Sequence, residues 1–159
     1  MYSLTSDEKY TWLATCAKGI EPLMAEEIRN LGGEVEKETH LGVIWHGNLQ
    51  LAYRFCLWSR LASRLLLPLH ESQVDNVDEM YQAALSVNWP EIFALKSTFR
   101  IDFHGQSSFI NNTQFGAQKI KDAVVDRFRE EKGLRPTVDK QGAVRIEAQL
   151  RKGRIALYF

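Results

Sequence analysis

A chain of 159 residues, 45% hydrophobic and 11% aromatic with four prolines, can bury a core as one generous domain or two small ones. That composition excludes a disordered tail, a collagen-like polymer and a disulfide-stapled miniprotein. Twenty basic residues balance twenty acidic ones, which argues against indiscriminate electrostatic binding of nucleic acid.

The balance is uneven along the chain. Residues 1–50 carry four basic and eight acidic side chains, residues 51–110 five and six, and residues 111–159 eleven and six, so the chain runs from an acidic front to a basic back. No window approaches the ~20 apolar residues of a membrane span. The opening Met1-Tyr2-Ser3-Leu4-Thr5-Ser6-Asp7-Glu8-Lys9 lacks a basic stretch followed by an apolar run. A soluble, cytoplasmic protein with no membrane partner is expected. Cys16 and Cys56, each among apolar neighbours, read as buried, reduced thiols.

In chain order, Thr11 to Cys16 is a short strand-like run. Pro22 then suits a helix first turn, and Leu23, Ile28 and Leu31 carry a helical pattern that Gly32-Gly33 stops. Glu34 to Glu38 and Gly42 to Gly47 predict two more strands, so the first block reads β-α-β-β and ends at residue 48. Asn48 caps a helix expected over about 49–61, on the spacing of Leu51, Ala52, Phe55, Trp58, Leu61 and Ala62. Arg64 to Leu69 looks extended, with Pro68 at an edge or a strand end. A helix is expected over 77–86, with Trp89-Pro90 ending that region, and a strand over 98–104, where polar and apolar residues alternate. Residues 112–132 predict a long helix with Ala117, Ile120, Val124 and Phe128 on its apolar face and Gly133 at its stop. A hairpin over 144–150 and 154–159, turning at Lys152-Gly153, completes an α-β-α-β-α-β-β block over 49–159. The last residues, Tyr158-Phe159, lie inside a strand pattern, which suggests a fragment of a longer protein.

Enzyme signatures are sparse. No two glycines have dinucleotide-site spacing. Gly42 and Gly47 have the spacing of a phosphate loop, but Asn48-Leu49 follow where Lys and Ser or Thr are required. The four histidines form no i,i+4 pair, and the two cysteines stand apart, so no metal cluster is written in the sequence. Ser107 lacks the second glycine of a nucleophile elbow.

The basic C-terminal third is more informative. Wound at about 100° per residue, Gln114, Gln118, Lys121, Val125, Arg129 and Lys132 fall in one sector free of acids, beside the apolar stripe. Lys119, Asp126 and Glu130 fall on the other flank, where they are expected to neutralise one another. An amide-and-cation sector can track phosphates; an ordinary solvated face fits the same residues. Asn112 or Thr113 can cap this helix, whose N-terminus favours an anion. Arg60 and Arg64 sit near the end of the second helix and complement its dipole.

Three stretches together carry a family resemblance: Leu13-Ala14-Thr15-Cys16-Ala17-Lys18-Gly19-Ile20-Glu21, Trp58-Ser59-Arg60-Leu61-Ala62-Ser63-Arg64, and residues 112–126, from Asn112-Thr113-Gln114-Phe115-Gly116 to Val125-Asp126. From residue 11 onward the chain resembles the N-terminal region of the bacterial 23S ribosomal RNA guanine-N2 methyltransferases of the RlmL type. The resemblance implies an α+β fold: an N-terminal ferredoxin-like βαββ unit over 1–48, followed by a THUMP α/β domain over 49–159 that binds RNA. It also implies that catalysis belongs to a later domain, which binds S-adenosylmethionine and holds the guanine with an Asn/Asp-Pro-Pro-Tyr/Phe motif. Asn88-Trp89-Pro90-Glu91 is the nearest approach to that motif here, so neither a catalytic residue nor a cofactor is expected in this segment.

The expected partners are structured 23S ribosomal RNA and the chain's own C-terminal methyltransferase domain. The expected RNA contacts are Asn112, Gln114, Gln118, Lys119, Lys121 and Arg129, with Arg60, Arg64, Lys132 and Arg135 further out. Lys119 is included because it matches the family's Lys-x-Lys-Asp run, although the helical wheel places it off the sector. Two other readings remain open: a THUMP module of a thiouridine synthase or transfer-RNA methyltransferase, and a scaffold or ligand-binding ferredoxin-like module without RNA.

Overall fold

The computed structural model describes residues 7–159, so most of the opening stretch read for a leader, residues 1–6, lies outside the described residues. The described chain divides into two units, 7–68 and 69–159.

In the first unit the order is β1 (Lys9–Thr15), α1 (Glu21–Leu31), β2 (Glu34–Thr39), β3 (Gly42–Asn48), α2 (Leu49–Trp58) and β4 (Arg64–Leu66). The strands form one sheet in the order β2-β3-β1-β4, and each neighbouring pair runs antiparallel. Pro22 occupies the α1 first turn, where a missing N–H costs nothing, and Gly32 ends the helix at φ 101°. The core is aromatic: Trp45 lies 6.4 Å from Trp12 and 5.3 Å from Phe55 between ring centroids, with Leu13, Met24 and Ile28 buried around them.

The unit boundary falls at Pro68, not after residue 48. β4 hydrogen-bonds to β1 through Leu13↔Leu66 and Thr15↔Arg64, and α2 buries Ala52 and Phe55 in the same core. The βαββ block is therefore completed by an α and a β element to the full βαββαβ order. The run read as one strand over 64–69 is two, because the strand beginning at Pro68 joins the other sheet.

Helix α2 stops at Trp58, three residues short of the expectation. Ser59 leaves the helix at φ −65°, ψ 134°. Its hydroxyl donates to Glu27 Oε2 at 2.5 Å, and the Arg60 N–H donates to Glu27 Oε1 at 2.9 Å. A carboxylate distant in sequence thus draws the backbone out of the helix, overriding the Leu61 and Ala62 periodicity. Cys16 is half-buried, and Cys56, expected inside, is exposed on α2; burial and the Glu21 carboxylate push the Cys16 thiol pKa up.

The second unit contains β5 (Pro68–Gln73), α3 (Val77–Leu85), α4 (Trp89–Ile92), β6 (Phe99–Gly105), α5 (Thr113–Lys132), β7 (Val144–Arg151) and β8 (Arg154–Tyr158). Its sheet has the order β5-β8-β7-β6. β6 and β7 are parallel, which requires a crossover, and α5 supplies it. β7 and β8 form the expected hairpin around Lys152-Gly153, both at positive φ. The short α4 was not expected; Pro90 sits in its first turn, and the Trp89 indole N–H donates to Ala84 O at 2.8 Å. Helices α3, α4 and α5 close the core over Phe99, Phe103, Ile146, Ala148 and Leu157. In α5, Gly116 permits a close approach: a Cβ there would lie 2.6 Å from the Phe103 ring. Among the described residues, no helix is long and apolar enough to cross a membrane.

Candidate nucleic-acid interface

Helix α5 buries Ile120, Ala123, Val124, Val125 and Phe128, which fixes which of its residues face outward. Asn112 is its cap: Oδ1 accepts from the Gln114 N–H at 2.8 Å. No acid occupies the first turn, so the positive end of the helix dipole is left uncompensated there.

Two recesses flank this helix. The first, about 550 Å³, is lined by the cap Asn112, by Gln114, Phe115, Gln118 and Lys121 from α5, by Arg100 from β6 and by Lys140 from the loop before β7. Its carboxylates are engaged: Asp102 pairs with Arg145, and Asp139 Oδ1 accepts from the Gln141 N–H at 2.9 Å. The second, about 590 Å³, gathers Lys119, Lys121, Arg129 and Arg135 against Asp122 and Asp126, with Tyr81 alongside. Lys121 lines both.

Asp126 accepts from the Tyr81 hydroxyl at 2.8 Å and pairs with Arg129 at 3.1 Å. Lys121 pairs with Asp122 at 2.8 Å. These pairs reach solvent, where each is worth at most about 1 kcal/mol, so a phosphate can draw the cations away from them. Burial, and then the hydrogen bond to Asp126, pushes the Tyr81 hydroxyl up to about 12.

The structure thus gathers Asn112, Gln114, Gln118 and Lys121 at one recess and Lys119, Lys121, Arg129 and Arg135 at the other. Lys132 is exposed at the α5 C-terminus and lines neither. Arg60 and Arg64 belong to the first unit.

The wheel needs two corrections. Val125, placed in the polar sector, is buried and interrupts it, because the neighbouring α3 packs there as well as the sheet. Lys119, Asp126 and Glu130 do not neutralise one another: Lys119 lies over the Phe115 ring at 5.7 Å, Asp126 serves Tyr81 and Arg129, and Glu130 approaches Arg127 at 3.9 Å. Arg100 and Lys140 were missed. Their only sequence signal was an outward position in an alternating strand and a charge in a loop, and pairing across the sheet brings both to α5.

S-adenosylmethionine does not fit these residues. The β6-to-α5 connection enters its helix through residues 106–112 without a glycine, and the Asn112 side chain already occupies the first-turn N–H of Gln114.

Comparison with known proteins accords with this geometry. The family model described as the RlmL ferredoxin-like domain matches residues 11–66, and the THUMP domain model matches residues 74–159. The chain is 44% identical over 149 residues to the ribosomal RNA large subunit methyltransferase K/L of Shewanella frigidimarina, covering 93% of this chain and 21% of that protein. It is 47% identical over 144 residues to the protein of the same name from Aeromonas hydrophila, covering 90% and 20%. It therefore spans about a fifth of the length of these curated relatives. A solved structure described as a possible methylase from Clostridium difficile 630 superposes with a TM-score of 0.82 at 23% identity, covering 95% of this chain and 41% of that one, a likeness of fold. With the THUMP model alone spanning more than half of its length, the chain belongs to the THUMP family and carries an RlmL-type ferredoxin-like domain in front of it.

Proposed function

We propose that this chain is the RNA-docking module of a cytoplasmic, S-adenosylmethionine-dependent 23S ribosomal RNA guanine-N2 methyltransferase. The cofactor and the transfer chemistry would belong to a C-terminal methyltransferase domain of the parent protein. This module would grip structured RNA by phosphate and shape and present a guanine for extrusion by that domain.

The observation that carries the reading is the α5 surface, where amides and cations from Asn112 to Arg129 open onto two recesses richer in cations than in carboxylates. Asn112, Gln114 and Gln118 would bond phosphate and 2′-hydroxyl oxygens. Lys119, Lys121, Arg129 and Arg135 would neutralise phosphates, with Lys132, Arg60 and Arg64 as outer contacts. The relatives' name, ribosomal RNA large subunit methyltransferase, supports the choice of RNA.

The test is binding of a 23S RNA fragment across a salt series. Replacing both Lys121 and Arg129 with Glu should abolish retention at low salt while the melting temperature stays nearly constant, since neither side chain is buried. Each single neutralisation should reduce the slope of log K against log salt by about 0.7 to 0.9. Unchanged affinity and slope in the double variant would overturn this reading.

A further inference from the structure

In the first unit, α2 lacks the polar outer face expected of a surface helix. One side buries Ala52 and Phe55. The other presents Tyr53 at 63% exposure, Leu57 at 81% and Trp58 at 68%, with Arg54 between them and Arg60 just beyond, both exposed. Spaced at i and i+4, Tyr53 with Leu57 and Arg54 with Trp58 form two adjoining rows on one side of the helix. The other three tryptophans, Trp12, Trp45 and Trp89, are buried, so Trp58 is the exception.

The charge on this stretch is of one sign. From residue 39 to residue 70 there is no Asp, Glu or Lys; besides His40, His46 and His70 the ionisable side chains that carry charge near neutral pH are Arg54, Arg60 and Arg64. The α1 carboxylate beside them, Glu27, has both oxygens committed to Ser59 and Arg60 backbone or hydroxyl donors. Those bonds, with the Ala62 N–H donating to Ser59 Oγ at 3.1 Å, hold the turn after Trp58 in place. Exposed aromatic rings flanked by arginines, on a fixed helix, are the composition that stacks unpaired bases while tracking their phosphates. An apolar face meant for a protein partner needs no such uniform sign.

We propose that the Tyr53–Trp58 face of α2 is a stacking platform for unpaired nucleotides, an RNA-contacting face of the first unit in addition to the α5 surface of the second. Its choice of polymer rests on the RNA-docking reading above. Trp58 and Tyr53 supply ring faces, Leu57 an apolar floor, and Arg54 and Arg60 phosphate contacts.

Trp58 also provides the readout. Titrating the 159-residue chain with an oligoadenylate of about twelve nucleotides, long enough for one such site, should quench the red-edge, solvent-exposed tryptophan emission; a blunt RNA duplex of equal length should not. Trp58→Phe should remove the quenching signal, because the remaining tryptophans are buried. The pair Tyr53→Ala and Trp58→Ala should weaken single-strand affinity about tenfold with duplex affinity and melting temperature unchanged. Absence of single-strand quenching at low salt overturns the platform, whether or not RNA is retained. If the α5 double variant loses 23S RNA in that case, the docking reading survives alone; if quenching persists while the α5 variants bind like the parent chain, the platform survives and the α5 assignment fails. A Trp58 emission that shifts blue with protein concentration in the absence of RNA makes the face a contact between copies and overturns the proposal.

Discussion

Tyr81 ties α3 to α5 through a single hydrogen bond to Asp126, the same carboxylate that holds Arg129. Because the hydroxyl's pKa is raised from 10.0 to about 12 in the fold, the folded state favours the neutral phenol. Its contribution is complete below pH 10 and is lost as the pH rises toward 12. Urea midpoints should therefore fall between pH 10 and 12, and Tyr81→Phe should flatten that fall relative to the parent chain. At pH 8 the variant should be less stable by about 1 kcal/mol, the worth of one such bond. A parallel decline in both proteins would mean that Tyr81 does not titrate as assigned. The pairing was invisible in the sequence, where Asp126 read as a charge neutralised within its own helix: 45 residues separate it from Tyr81.

At the scale of elements, α5 is positioned by what its glycine leaves out. Gly116 is buried within the helix, and the Phe103 ring from β6 fills the space a side chain would take. Gly116→Ala gains about 1 kcal/mol of helix propensity but forces the ring to move in a packed core, at about 1–3 kcal/mol. The expected net is a destabilisation of about 1 kcal/mol in urea unfolding; Phe103→Leu in the same chain should make Gly116→Ala favourable. A stabilised single variant would show that the ring has room to shift. The boundaries of α5 and of β1, β2, β3, β6 and the β7–β8 hairpin were legible to within two residues, because period, caps and glycine stops act locally. The C-terminal end of α2 and the existence of α4 were not. Glu27 fixes the first from another helix, and the second is held by the Trp89 indole bond to the end of α3.

For the whole molecule, each unit keeps its own sheet and its own core. A chain cut after Asn48 would leave β1 without its β4 partner and remove Ala52 and Phe55 from the core. It should be unfolded by circular dichroism, whereas residues 1–68 should melt cooperatively, near the lower size limit for an independent domain. Equal folding of the two fragments would return the boundary to residue 48.

The sequence by itself determined most of the secondary structure, the gradient from acidic to basic and the family, and narrowed the cap of α5 to Asn112 or Thr113, since these are read from the chain without its tertiary contacts. Tertiary structure alone decided which residues share a surface. Parallel pairing of β6 with β7 brings Arg100 and Lys140 to α5, packing against α3 buries Val125, and pairing of β4 with β1 gives α2 to the first unit with an aromatic face outward. Each of these depends on contacts between residues tens of positions apart, whose geometry no local period encodes.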